Sequence, residues 1–223
     1  MAEHPTSSLR TAPRSAAVEI NRVLRNTYLL LGMTLAFSAV VAGVSLTLNL
    51  PHPGIIPWLI GFFALLFIVH KTANSSWGLL SVFAFTGFLG YGLGPILNMY
   101  LGLPNGGTLV SSALGTTAFA FVGLSAYALI TRKDFGFLSG FLMVGFFVLM
   151  GAVLLSLFVD LSAFQVAISA GFVLFASAAI LWQTSAIIHG GETNYILATV
   201  TLYVSIYNLL LSLLHIFGAL GDD

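Results

Sequence analysis

Seven stretches of this chain, residues 28–50, 55–69, 77–97, 109–131, 135–159, 164–188 and 195–220, contain no Asp, Glu, Lys or Arg. A helix that crosses a bilayer needs about 20 consecutive apolar residues, and lipid offers no partner for an unpaired backbone group. Six stretches meet that length outright. The second is short and needs Gly54 and His70 at its ends, or a locally thin bilayer. Its Pro57 falls in the first turn, where a missing N–H costs little. Charged residues make up 6% of the chain, against roughly 25% in soluble domains. The fold class that follows is an all-α membrane protein, a seven-helix transmembrane bundle over residues 28–220. The short connections predict that consecutive helices are antiparallel neighbours.

Residues 1–27 are polar and carry Arg10, Arg14, Arg22 and Arg25 with two prolines and several serines. Their composition predicts a flexible tail to about Ala16, with a short interfacial helix over 17–26. A signal peptide is the weaker reading, because the apolar run that follows far exceeds the roughly 7–15 residues of such a core. The other basic residues are Lys71, between the second and third stretches, and Arg132 and Lys133, between the fourth and fifth. All seven therefore share one side, which the positive-inside rule makes cytoplasmic. The N-terminus is expected inside, and Asp160 and the residue 221–223 tail outside, in the periplasm. The seven basic and seven acidic side chains cancel, and the basic ones are too scattered for a nucleic-acid surface. The absence of cysteine excludes disulfides and thiolate chemistry.

The last stretch carries the most informative pattern. Thr201, Ser205, Asn208, Ser212 and His215 are spaced by four, three, four and three residues, which places them on one narrow helical face. Leu202, Ile206, Leu209, Leu210, Leu213 and Leu214 fill most of the remaining circumference, so the stripe is expected inward and the leucines towards lipid. Gln183, in the sixth stretch, is costly in a bilayer unless bonded. It is expected to face the bundle and hydrogen-bond to helix seven. In the loop before that helix, Gly190 and Gly191 suit a left-handed helix end, Thr193 can cap the next helix, and Glu192 meets its positive end. His189 and Glu192 are candidate ion or partner ligands in that loop.

Two glycine pairs, Gly90 with Gly94 and Gly136 with Gly140, predict close helix contacts, and Pro95 predicts a kink at the end of helix three near the outer surface. Catalytic patterns are lacking: the sequence has neither HExxH nor GxxxxGK[ST]. Gly123-Leu124-Ser125-Ala126 approximates the GxSG of intramembrane serine proteases, but the last glycine is absent and His215 lies near the opposite helix end. A retinal protein needs a lysine in the seventh helix, and a seven-helix receptor needs its N-terminus outside. His4, His52, His70, His189 and His215 are too dispersed for a metal site. No enzyme activity and no cofactor are expected.

Three blocks carry a resemblance: KTANSSWGLLSVFAFTGFLGYGLGPILNMYL (71–101), SAYALITRKDFGFLSGFL (125–142) and SAIIHGGETNYILATVTLYVSIYNLLLSLL (185–214). Together they resemble the YccA-like branch of the Bax inhibitor family, over nearly everything from Val23 onward. The resemblance implies a multi-pass protein of the bacterial inner membrane. It also implies a non-enzymatic substrate and modulator of the membrane-anchored protease FtsH, in company with HflK–HflC, acting in membrane-protein quality control. That protease engages flexible cytosolic tails, which points to the segment holding Arg10, Arg14, Arg22 and Arg25. Other members of the family are pH-sensitive calcium leak channels with paired acidic residues on helices six and seven. The matching positions here are Gln183 and Ser205, both neutral. The alternative reading is a cation leak path along the helix-seven stripe, and it would lack that family's proton-sharing pair.

Overall fold

A computed structural model describes residues 12–221, with side chains from Val18 onward. It holds seven long helices: α1 Ala12–Thr47, α2 Ile55–Thr72, α3 Trp77–Leu101, α4 Gly106–Thr131, α5 Leu138–Leu155, α6 Gln165–Ile188 and α7 Tyr195–Leu220. A single 3-10 turn, Ser162–Phe164, precedes α6. No strand occurs among the described residues. All seven helices are long and apolar enough to cross a membrane.

The first helix departs from expectation. Residues 12–27 do not form a tail followed by a separate interfacial helix; they are the first turns of α1. The segment is rich in alanine and its Pro13 lies in the first turn, where proline is tolerated. The row Val23, Thr27, Leu30, Thr34, Ser38, Ala42 and Ser45 is buried along one face, and Val23 packs with Ile187 and Ala198. Arg22 and Arg25 are therefore exposed side chains on a continuous helix. Arg14 lies within α1, and Arg10 lies outside the described residues.

Helix three organises one half of the bundle. It packs against α1, α2, α4 and α7, whereas α2 rests chiefly on α3 and α5 chiefly on α6. Consecutive helices are thus not always neighbours: α3 rather than α2 is the main partner of α1. Glycine explains the exchange. A Cβ at Gly90 would sit 2.5 Å from the Ser38 carbonyl oxygen, and one at Gly94 would strike Ser45, both on α1. Gly92, turned the other way, leaves room for the Trp58 ring of α2, which stacks on Phe88 at 4.5 Å. Without a hydrophobic drive between helices in lipid, this close contact supplies the cohesion.

Helix α3 runs on through Pro95 to Leu101. Pro95 cannot donate to the Tyr91 carbonyl one turn back. The hydroxyl of Ser45 donates to that carbonyl instead, at 2.8 Å. The repair comes from the same residue that Gly94 allows close. The second glycine pair does nothing comparable. Gly136 precedes α5, and a Cβ at Gly140 would meet nothing within 4 Å. Helix α5 starts late because Asp134 accepts from the Gly136 amide (2.7 Å) and the Phe135 amide donates to Ser185 (3.0 Å).

Helix α7 touches α1, α3, α4 and α6. Leu202, Leu209 and Leu214 are at most 1% exposed, and Leu213 and Ile206 are also buried. The leucines expected to face lipid face other helices. A helix apolar on nearly every side is an interior helix, and the polar stripe obscured that pattern in the sequence. Gly90→Ala is expected to lower stability by about 1–3 kcal/mol, as overpacking does. Gly123→Ala, in open space, should leave it nearly unchanged. Thermal unfolding of the purified protein in detergent compares the two.

Candidate functional site

The turn before α7 is built from its own side chains. Gly190 ends α6 with φ +73°, and the Gly191 amide donates back to the Ala186 carbonyl at 2.8 Å. Asn194, not Thr193, caps α7: its Oδ1 accepts from the Ile196 and Leu197 amides at 2.9 and 3.2 Å. Thr193 is exposed. Asn194 prevails because its amide has a second use, donating to the Ala73 carbonyl (3.2 Å) and to Asn74 (2.8 Å) in the α2–α3 turn. Glu192 accepts from the Asn194 amide at 2.8 Å, which steadies the cap.

His189 and Glu192 border a cavity of about 290 Å³ with Asp134, Trp182 and Ser185. His189 is tied by Nδ1 to the Ser185 carbonyl at 2.9 Å. Among the described residues no group of three or more His, Asp or Glu is placed to hold a metal ion.

The stripe divides. Its lower half, Thr201 and Ser205, faces protein, and Ser205 donates to the Thr201 carbonyl of its own helix at 2.8 Å. Its upper half opens on a crevice of about 440 Å³ between α5, α6 and α7, where Asn208, Ser212 and His215 meet Ser169 and Gln165 of α6. Ser212 likewise donates within α7, to the Asn208 carbonyl at 2.7 Å. Both serines of the stripe therefore bond within α7 and not to another helix. In a helix a serine hydroxyl reaches the carbonyl one turn back, and that bond is always at hand. His215 packs edge-on against Tyr100 at 6.0 Å between ring centres.

Gln183 faces inward as expected and is 2% exposed, but its Nε2 has no hydrogen-bond partner among the described residues. The expected bond to helix seven is absent. Ser125 is similarly buried and unpartnered, so it forms no dyad with His215.

The bonds that do cross from α7 lie on another face. Tyr203, 2% exposed, donates to the Thr86 carbonyl of α3 at 3.3 Å and accepts from Ser38 of α1 at 2.5 Å. Thr199 reaches the Thr27 carbonyl of α1 at 3.2 Å. Sequence reasoning missed Tyr203, Ser38 and Thr86, because an isolated tyrosine among leucines carries no periodic signal. Asp160, Gln165 and Ser169 were also missed as crevice residues; only the packing of α5 on α6 brings them together. Asp160 accepts from the Ser162 amide at 2.9 Å, and that bond holds its carboxyl below the ordinary carboxylate range.

Residues 20–222 match the family model described as Inhibitor of apoptosis-promoting Bax1. An uncharacterised protein of Pseudomonas aeruginosa is 65% identical over 205 residues, 92% of each chain. A protein of Escherichia coli K12 named Modulator of FtsH protease YccA is 53% identical over 210 residues, 94% of this chain and 95% of its own. An uncharacterised membrane protein of Vibrio cholerae is 41% identical over 215 residues, 96% of each.

Two substitutions separate glue from orphan. Gln183→Leu, close in volume, should be neutral or stabilising, since it removes a buried donor that has no acceptor. Tyr203→Phe should cost about 1–2 kcal/mol, because it leaves the Thr86 carbonyl and Ser38 hydroxyl to find other partners. Thermal unfolding midpoints of both variants in detergent check the contrast.

Proposed function

Because the chain belongs to the Bax inhibitor family, we propose that it is an inner-membrane modulator of the FtsH protease and a substrate of it. The observation that carries this reading is 53% identity to the Escherichia coli protein of that name, spread over 94% of this chain rather than confined to one motif. A second Escherichia coli relative of equal identity is named Inner membrane protein YccA, which supports the same location for this chain. The modulator acts without catalysis of its own, by binding. It works beside HflK–HflC in the quality control of membrane proteins.

The N-terminus lies in the cytoplasm and the C-terminus in the periplasm. Support comes from charge: Arg22, Arg25, Lys71, Arg132 and Lys133 flank one set of helix ends. The protease begins at the residues before Ala12, and Arg22 and Arg25 stand on the exposed helix that follows.

The alternative, a pH-gated cation leak, has less support. Gln183 and Ser205 stand at the positions matched to the acidic pair, and the Ser205 proton is committed to the Thr201 carbonyl. An amide and a hydroxyl do not share a titrating proton at accessible pH.

Deleting residues 2–11 should slow turnover several-fold in cells that contain the protease, with the protein still membrane-inserted. A pulse-chase measurement checks this, and an unchanged half-life contradicts the tail mechanism.

A further inference from the structure

The crevice between α5, α6 and α7 holds polar groups that the protein itself leaves unsatisfied. Ser169 is 4% exposed, lines the crevice and has no hydrogen-bond partner among the described residues. The side chains of Gln165, Asn208 and His215, also in the lining, have none there either. These four bring donors and acceptors together: two carboxamides, an imidazole and a hydroxyl. Ser212 and Ser156 donate to the Asn208 and Val153 carbonyls, each at 2.7 Å, and keep lone pairs to offer the same space. The one carboxylate of the lining, Asp160, is exposed, and the Ser162 amide already meets it at 2.9 Å.

A buried polar group without a partner costs about 1–3 kcal/mol, and lipid chains supply no partner. An acyl chain in the crevice would leave all four side chains unpaired, and a cation would find no buried charge. Water donates and accepts alike, which is what a neutral lining of mixed groups calls for. Space is ample: the crevice measures about 440 Å³, whereas one buried water needs only about 10–15 Å³. Its mouth lies at Asp160 and Ser162 in the α5–α6 connection, and its inner end at Phe172 and Asn208. Asn208 stands about 18 Å inward of Leu220 along α7, at 1.5 Å per residue. That depth is near the middle of a hydrocarbon core about 30 Å thick. Ser205, one turn further in, is 5% exposed, donates to the Thr201 carbonyl and is not part of the lining.

We infer that this crevice is a blind, water-filled vestibule, which carries the aqueous phase from the α5–α6 connection to Asn208 at mid-span and stops before Ser205. The inference is independent of any contact with a protease. The chain contains no cysteine, so single cysteines report access directly, because a thiol reacts as the thiolate and needs water to form it. The probe is a membrane-impermeant trimethylammonium methanethiosulfonate, applied to right-side-out and to inside-out vesicles that hold the full-length chain. Rates are compared on whichever side modifies Ser162→Cys at the mouth, so the result does not depend on the orientation of the protein. Ser169→Cys, Ser212→Cys and Asn208→Cys should react within about a hundredfold of Ser162→Cys. Phe147→Cys, at the middle of α5 and 68% exposed, is the control for a site that meets lipid at similar depth. It and Ser205→Cys should react at least about a hundredfold more slowly than Ser212→Cys. The two serine variants at 169 and 212 exchange one atom, so their unfolding temperatures, measured alongside, should stay near that of the parent. Two results would overturn the vestibule. Ser169→Cys and Ser212→Cys reacting no faster than Phe147→Cys would mean a dry or lipid-filled crevice. Ser205→Cys reacting as fast as Ser212→Cys would mean that the crevice does not end where stated.

Discussion

The hydroxyl of Tyr203 on α7 ties three helices at once, donating to the Thr86 carbonyl of α3 and accepting from Ser38 of α1. Everything else in the bundle is consistent with that node. For Ser38 to reach it, α1 and α3 must lie close together, and Gly90 leaves the room that the Ser38 backbone takes up. The same proximity brings Ser45 to the carbonyl that Pro95 leaves free. In a bilayer an unsatisfied backbone group has no water to turn to, so a proline in α3 is tolerated only because α1 is that close. Helix α7 supplies the tyrosine and is enclosed on four sides as a result.

The outer helices follow a different logic. Helix α5 has no buried residue and rests chiefly on α6, and α2 buries only Val69. Their exposed Phe, Leu, Ile and Val side chains suit lipid contact, where apolar exposure carries no penalty. The loose seat of α5 leaves the crevice beside α6 and α7. The polar stripe of α7 is thus half interior lining and half the wall of that crevice.

The number and type of the helices were legible because an uncharged run of bilayer length has few other outcomes. Their ends were less so: α1 extends back to Ala12, and α5 begins three residues late behind an aspartate turn. The Gly90–Gly94 contact could be anticipated from spacing, whereas Gly136–Gly140 has the same spacing and no partner, since spacing does not say which face a neighbour takes. Asn194 outranked Thr193 as a cap through a bond to Asn74, 120 residues away in the chain. The inward aim of Gln183 was readable from its desolvation cost, but its missing partner was not.

The chain belongs to the family of a protein named a modulator of FtsH protease, and the central functional claim is that it too associates with FtsH. Affinity purification of the chain from native inner membranes in mild detergent tests that claim most directly, with an unrelated multi-pass protein carrying the same tag as control. FtsH is expected to be enriched with the chain, together with HflK–HflC. Recovery of FtsH no greater than with the control would contradict it.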